Sequence, residues 1–407
     1  MSTATWSSVR ALTAAAVCTT SLLALSGPAV ADGPNGIDDL RGAPPAPIRN
    51  LLDEPGVQFL PRPGVPEPPQ VTALSWAVTD LGSHRILAAK DAHRQLPPAS
   101  TLKTLFALTV LPRFAQGAVR TVSGTDLAGI EAGSSLAGLR EDVPYRVADL
   151  WHGVFLSSGS DAVHALATMN GGWHKTIEDM QVTARRMGAR DTVVESADGF
   201  DTPGQFSSAY DLSLFGQAGL ADRDFARLAA TKTALLPEGG GPDASGIQNT
   251  NRLLVGSHGV APYQGLIGVK NGYTSHAGNT LIAAARRGDR TLLVTVMNPQ
   301  SGAENAVYEE ARALLDWGFD AAPRAAAVGV LPTPSADGRD PGAEPAAHGP
   351  SAGELHRAPA AGTAGRTGDA VVWSFCAVGV VALAGLGTAL WWRRRQSAGP
   401  GDGGPAS

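Results

Sequence analysis

The two ends of the central segment contain short, largely apolar runs bounded by turn residues, a pattern that is typical of β-strands. "LSWAVTD" (74–80) and "RILAAKDA" (85–92), separated by "LGSH", predict an N-terminal hairpin. "LIGVKNGYT" (266–274), "NTLIAAAR" (279–286) and "TLLVTVMN" (291–298) predict a C-terminal meander, with "RGDR" as its second turn. The sheet is therefore expected to form from both ends of the segment.

Between these strands the apolar residues recur at helical spacing. The predicted helices are "TLKTLFALTVL", "VADLWHGVFLSS", "DAVHALATMN", "IEDMQVTARRMG" and "AYDLSLFGQAGL", and "AVYEEARALLDWGF" follows the meander. The order predicts an α+β fold, an antiparallel sheet from both chain ends with a helical region inserted. Residues 71–321 hold enough apolar sequence for one globular domain.

The flanking segments differ from this domain in composition. Residues 1–31 have the anatomy of a secretory signal peptide, with small residues before the expected cleavage site. Residues 32–70 are rich in proline and predict an extended lead, and residues 322–369 are rich in Ala, Gly and Pro and predict a flexible stalk.

An uncharged stretch near the C-terminus predicts a membrane anchor. Residues 370–392 carry no charge and are long enough to cross a bilayer of about 30 Å. Arginines follow at once in the 393–407 tail, which is therefore expected to be cytoplasmic. Together with the signal peptide, this predicts a single-pass membrane protein whose domain lies on the extracellular side.

Composition excludes several classes of function. Both cysteines, Cys18 and Cys376, lie in the predicted signal and span, so the exported part has no disulfide and no Cys metal site. The net charge of −5 and the lack of a basic stripe argue against nucleic acid as a partner. There is no H-E-x-x-H, and His152, His164 and His276 do not form a helical ligand pair, so no metal site is predicted.

The chain contains one S-x-x-K, formed by Ser100 and Lys103 in "PPASTLKT". Residues three apart on a helix face the same way, so the amine can reach the hydroxyl. This helix is apolar nearly all round, and burial would favour a neutral amine, a general base beside a nucleophile. The alternative is a capping serine with a lysine that snorkels to the surface.

Three further motifs change that balance, namely "LWHGVFLSSGSDAVHALA", "NTNRLL" and "GVKNGYTSHAGNTLIAAA". Together with "LPPASTLKT", they resemble in order and separation the landmarks of the D-alanyl-D-alanine carboxypeptidases, a branch of the serine penicillin-binding proteins. The resemblance covers residues 72–320. It implies a β-lactamase/penicillin-binding transpeptidase-like fold, and removal of the terminal D-Ala from peptidoglycan stem peptides through a penicillin-sensitive acyl-serine intermediate, without a metal or organic cofactor.

The resemblance also implies roles for individual residues. Ser100 corresponds to the nucleophile, Lys103 to its base, and Ser158 to a serine that relays a proton to the leaving amine. Lys270, in the one K-x-G of the chain, corresponds to a lysine that supports substrate binding. The backbone N–H groups of Ser100 and Tyr273 would form the oxyanion hole, and the strand "GVKNGYT", which carries Tyr273, would bind the stem peptide or a β-lactam.

Two positions depart from the family pattern. Ser160 stands where the family has the asparagine of S-x-N, and Asn271 stands where it usually has the threonine of K-T-G. Asparagine offers both a donor and an acceptor, whereas serine offers a shorter hydroxyl. Asp198 and Asp201, in "DGFDTPGQFSS", are interpreted as turn residues rather than catalytic acids.

Three alternatives stay open at this level. The first is a wall-peptide binding module that lost turnover through Ser160. The second is a β-lactamase, for which Glu195 is the nearest deacylating carboxylate and lies in no convincing context. The third is a transpeptidase, which differs from a carboxypeptidase in whether an amine or water reaches the acyl-enzyme.

Overall fold

One antiparallel sheet forms the framework of the domain. The computed structural model describes residues 49–238 and 243–333. Within them the strand order is β1-β3-β2-β10-β9-β8, and β11 pairs with the outer side of β3. The strands are β1 Val57–Gln58, β2 Ser75–Asp80, β3 Arg85–Lys90, β8 Leu266–Thr274, β9 Gly278–Arg287, β10 Arg290–Met297 and β11 Gly329–Val330. The predicted hairpin and meander are confirmed, and β2 pairs with β10 in the centre of the sheet.

The helices lie mainly between β3 and β8, as predicted. They are α1 Lys103–Val110, α2 Val147–Phe155, α3 Ser160–Met169, α4 Trp173–Arg186, α5 Ala209–Ala221, α6 Arg223–Ala230, α7 Arg252–Val255 and α8 Ala306–Ala321. Two small hairpins complete the insertion, β4 Val119–Thr121 with β5 Pro144–Arg146, and β6 Thr233–Pro237 with β7 Ala244–Gln248. Neither these hairpins nor α6 and α7 were predicted from the sequence.

Both faces of the sheet are buried, by different helices. Ile282 and Ala284 join the core shared with α1, α2, α3 and α5, whereas Ala283 and Ala285 join the core under α8. Successive strand residues point to opposite faces. Both sets of side chains must then be apolar, which explains the long apolar runs in β9 and β10.

The folded domain extends beyond the predicted boundaries 71 and 321. β1 pairs with β3 through Val57 and Lys90, although 32–70 was predicted to be an extended lead. β11 pairs with the same strand, although it lies in the predicted stalk. Leu52 is buried in the core beside these strands, and this apolar contact explains why residues 49–70 pack onto the domain.

The predicted signal peptide, most of the stalk, the predicted transmembrane helix and the tail lie outside the described residues. Within residues 49–238 and 243–333, none of the helices is both long enough and apolar enough to cross a membrane.

Candidate active site

Ser100 lies in a single 3₁₀ turn, Ala99–Leu102, that leads directly into α1. Ala99 has a φ of 49°, an uncommon conformation for a residue with a side chain. The turn is fixed from both sides, because Thr280 Oγ1 of β9 donates to Pro98 O, and β8 passes beside the Ser100 nitrogen. A Cβ on Gly272 would lie 2.6 Å from that nitrogen, so only glycine permits this approach.

Lys103 is directed at Ser100 from the first turn of α1. Its Nζ lies 3.0 Å from Ser100 Oγ and 2.6 Å from the main-chain oxygen of Asp198. The side chain is 3% exposed. Burial lowers the pKa of the Lys103 amine, while the negative charges of Asp198 and Asp161 act against that shift. The snorkelling alternative is therefore wrong, because the amine lies in the interior and contacts the serine.

The charge of the Asp198 carboxylate also acts on the lysine. Its Oδ2 accepts a hydrogen bond from Ser160 Oγ at 2.6 Å, and its Oδ1 accepts from Ser196 Oγ and the Phe200 nitrogen. Burial alone would raise the pKa of Asp198, but the charge of Lys103 and these hydrogen bonds outweigh it, and the pKa is lowered. Asp198 is therefore held as a buried anion beside the lysine.

The turn between α2 and α3 carries Ser158 and Ser160, of which Ser160 lines the cleft. Ser158 has a φ of 59° and is 6% exposed. Its hydroxyl has no hydrogen-bond partner in the part of the chain that the structure describes. Strained backbone and a free buried hydroxyl are features found more often at functional sites than elsewhere. The hydroxyl is thus available to exchange a proton.

Strand β8 forms the opposite wall, and its alternation separates two kinds of residue. Lys270 is 1% exposed and donates to its neighbour's main-chain oxygen, that of Asn271, at 2.9 Å. Burial, followed by the charge of Lys103, lowers the pKa of Lys270 well below its usual value. Asn271 Oδ1 accepts from Thr250 Oγ1 at 3.1 Å, whereas the Tyr273 side chain is 68% exposed at the rim.

A loop before α2 closes one end of the cleft. The carboxylate of Asp161 accepts the N–H groups of Ala137, Gly138 and Leu139 at 2.8–2.9 Å, and the Ser160 nitrogen donates to Ser135 O. The start of α3 therefore holds this loop, which contributes Ser134 and Ser135 to the cleft.

The structure brings several of the predicted site residues to one cleft of about 180 Å³. Ser100, Lys103, Ser160 and Tyr273 all line it. Ser158, Lys270 and Asn271 are outside its lining, although the charge of Lys103 acts on Lys270. The cleft also contains Asp198 and Asp201.

Asp198 is the residue that the sequence analysis missed. It does stabilise a turn, through the Phe200 nitrogen, but it also contacts Lys103 and Ser160. Asp201 accepts from Thr274 Oγ1 at 2.6 Å and so connects its loop to the end of β8. One signal could have identified Asp198, because a buried lysine needs a nearby anion and the chain lacks the usual S-x-N.

The histidines contribute to packing. His164 stacks on Trp173 with ring centroids 4.0 Å apart, and burial lowers the pKa of His164 and of His152. His276 is exposed, and its main-chain N–H donates to Asp201 Oδ2 at 3.0 Å. In the ranges that the structure describes, no three His, Cys, Asp or Glu side chains cluster as metal ligands would.

The fold and this geometry define a class of protein, the acyl-serine enzymes of the penicillin-binding fold. Residues 63–301, more than half of the chain, match the family model described as D-alanyl-D-alanine carboxypeptidase. The chain belongs to this family. This match confirms the predicted class of enzyme, a serine-type D-Ala-D-Ala carboxypeptidase. The enzymes of this family act on the cell wall, outside the cytoplasm.

Two curated relatives illustrate the similarity. The chain is 35% identical over 266 residues to D-alanyl-D-alanine carboxypeptidase DacB2 of Mycobacterium tuberculosis, covering 65% of this chain and 87% of that protein. It is also 35% identical over 265 residues to DacD of Escherichia coli, covering 62% of this chain. The chain spans 64% of the length of DacD.

Solved structures confirm the predicted fold. The D-alanyl-D-alanine carboxypeptidase of M. tuberculosis H37Rv is similar with a TM-score of 0.60 and 33% identity, covering 67% of this chain and all of that one. The Streptomyces K15 DD-transpeptidase is similar with a TM-score of 0.57 and 26% identity, covering 62% of this chain and 99% of that one.

Proposed function

We propose that Ser100 and Lys103 carry the reaction of this carboxypeptidase on peptidoglycan stem peptides. Lys103 takes the hydroxyl proton, and Ser100 Oγ attacks the carbonyl carbon of the D-Ala-D-Ala bond. The carbon–nitrogen bond breaks, and the departing D-Ala receives the proton from Lys103 through Ser158. Water then cleaves the ester, which releases the shortened peptide and regenerates Ser100.

The observation that carries this proposal is the 3.0 Å contact between Lys103 Nζ and Ser100 Oγ inside a buried site. A protonated lysine cannot accept the serine proton, so the lowered pKa of Lys103 favours the base role. The second serine, Ser158, keeps a buried hydroxyl without a protein partner among the described residues. These features support an active enzyme over a wall-peptide binding module.

The other wall has a binding role in the proposal. An anionic group that enters the cleft would favour the charged form of Lys270, because a nearby negative charge raises a lysine pKa. Asn271, on the same strand, would donate its amide to the substrate carboxylate. The N–H groups of Ser100 and Tyr273 would stabilise the oxyanion, and the close approach of Gly272 to the Ser100 nitrogen supports their proximity.

We further propose that a cleaved signal peptide, residues 1–31, exports the chain, and that residues 370–392 anchor it with the domain outside. The support is the sequence alone, an uncharged segment followed by arginines. A variant ending at residue 369 should leave the membrane fraction for the soluble fraction. Retention of that variant in the membrane would contradict the anchor.

The experiment for the reaction measures D-Ala released from a peptide ending in D-Ala-D-Ala. The unmodified chain should release D-Ala, Ser100→Ala should not, and Ser83→Ala, in an exposed turn between β2 and β3, should match the unmodified chain. Release by the Ser100→Ala variant would contradict the assignment. Transfer of the acyl group to an added amine in place of hydrolysis would instead indicate a transpeptidase.

A further inference from the structure

The departure at Ser160 raises the question of what replaces the missing asparagine. We infer that Ser160 and Asp198 act as a pair in its place, with Asp198 as a positioning residue for both Ser160 and the base Lys103. This inference rests on the acyl-serine reaction proposed above. Three observations carry it: the direction of one hydrogen bond, the two contacts of Asp198, and the packing of its turn.

The first observation concerns the hydroxyl proton of Ser160. A carboxylate only accepts hydrogen bonds, so the 2.6 Å contact commits that proton to Asp198 Oδ2. Ser160 lines the cleft, and its oxygen therefore offers only lone pairs to a ligand. An asparagine at this position could also donate. The pair thus makes this point of the cleft a hydrogen-bond acceptor.

The second observation is that Asp198 contacts the base with its main chain. Its carbonyl oxygen accepts from Lys103 Nζ at 2.6 Å, which directs the amine towards Ser100. Its carboxylate is buried and has no ion-pair partner within 4 Å among the described residues. Lys103 is the cation that compensates this charge through space. One residue therefore sets both the direction and the charge state of the base.

The third observation is that the Asp198 turn has no room to move. Gly199 has a φ of 82°, and a Cβ there would lie 2.0 Å from the main-chain oxygen of Ala99. The turn thus packs directly behind the nucleophile. Displacing Asp198 would displace the backbone that carries Ser100, which makes the position of the carboxylate as well defined as that of the serine.

Other charges also act on Lys103 and must stay constant in a test. Asp161 and His164 approach from α3, and Lys270 approaches from β8. Asp198→Asn leaves all three in place. The asparagine amide can still donate to Ser160 Oγ, so the substitution removes the charge and reverses one hydrogen bond without changing the size of the side chain.

The experiment measures the acylation rate by penicillin against pH for the full chain. Acylation of the unmodified chain should rise with pH as Lys103 loses its proton. In Asp198→Asn this rise should move to lower pH, because the anion that favours charged Lys103 is gone. The acylation rate on the high-pH plateau should fall about tenfold, as for one misdirected hydrogen bond. Ser160→Ala should lower the plateau by about the same factor.

Ser196→Ala is the matched control, because Ser196 also donates to the Asp198 carboxylate, at 3.1 Å, on the Oδ1 side. Ser196→Ala should not change the pH at which the acylation rate rises. The double variant Ser160→Ala with Asp198→Asn should be no slower than the slower single variant, since members of one unit are not additive. An unshifted rise in folded Asp198→Asn, or additive losses, would overturn the inference.

Two outcomes keep this test separate from that of the proposed function. If the unmodified chain forms no adduct at Ser100, the acyl-serine reaction itself fails. If Asp198→Asn does not fold, as judged by its thermal melt, Ser160→Ala and Ser196→Ala decide. Equal acylation rates in these two variants would overturn the pair, whereas a loss confined to Ser160→Ala would support it.

Discussion

The two walls of the cleft are built by different means. The strand wall, β8, is fixed by main-chain pairing with β9 from Leu266 to Thr274, and alternation buries Lys270 while it exposes Tyr273. The opposite wall consists of the α2–α3 turn and the loop around Asp198. Side-chain hydrogen bonds hold the residues of this wall in place, and one of them joins Ser160 to Asp198, which lies 38 residues further along the chain.

This difference explains where the chain could depart from its family. Lys270 lies in a register that the sheet imposes, and the K-T-G motif is retained there apart from Asn271. On the other wall, a change at Ser160 can be offset by a second side chain, Asp198, that reaches it from a separate loop. Main-chain pairing thus fixes the residues of one wall, while side-chain hydrogen bonds hold the residues of the other.

The largest expected effect is at Lys103, the proposed general base. Lys103→Ala should slow acylation by penicillin about 10²–10⁴-fold, because it removes the general base. Lys175→Ala, which affects an exposed lysine paired with Asp179, is the matched control and should leave the rate unchanged. Stopped-flow measurement of acylation checks both. A Lys103→Ala variant within a few-fold of the unmodified chain would contradict the base role.

The next effect tests the strand wall. Lys270→Met should slow acylation by about 10–100-fold, as for the loss of a charge-assisted hydrogen bond to the substrate. It should also raise the melting temperature at neutral pH, since it removes a buried amine. Calorimetry and acylation rates together check this prediction. A lower melting temperature with unchanged acylation would show that Lys270 has a purely structural role.

Lys270 should also make the free energy of unfolding depend on pH. The folded pKa of Lys270 is lowered, so the unfolded chain binds more protons between the folded and unfolded pKa values. The free energy of unfolding should therefore rise with pH through this window, and less so in Lys270→Met. Denaturant melts at a series of pH values measure the difference. Parallel curves for the two proteins would contradict the shift.

A smaller effect tests the packing of the other wall. Gly199→Ala should lower the free energy of unfolding by about 1–3 kcal/mol more than Gly204→Ala, because both glycines have positive φ but only a Cβ at Gly199 meets the backbone of Ala99. Acylation should fall with it. Chemical denaturation checks the difference between the two variants. Equal losses would mean that the turn behind Ser100 is not tightly packed.

The smallest effect is expected at Asn271. Asn271→Thr, which introduces the usual family residue, should change the rate of D-Ala release by less than about threefold, since both side chains can donate to a carboxylate. Steady-state release from the peptide measures it. A large gain in rate would mean that Asn271, in the strand wall, limits D-Ala release more than Ser160 does in the opposite wall.

The sequence predicted the strand wall better than the helical wall, for a physical reason. The apolar runs of β8 and β9, bounded by turn residues, and the three-residue spacing of Ser100 and Lys103 are local signals. The contacts of Asp198 are not local, because its carbonyl meets Lys103 across 95 residues. The ends of the domain were missed similarly, since β1 and β11 are ordered by pairing with β3 rather than by their own pattern.

The most direct test of the central claim is to map the penicillin adduct. The full chain is incubated with penicillin, digested and analysed by mass spectrometry. We predict one adduct, on Ser100, that forms far more slowly in Lys103→Ala. An adduct on Ser158 or another serine, or no adduct on the folded chain, would contradict the account.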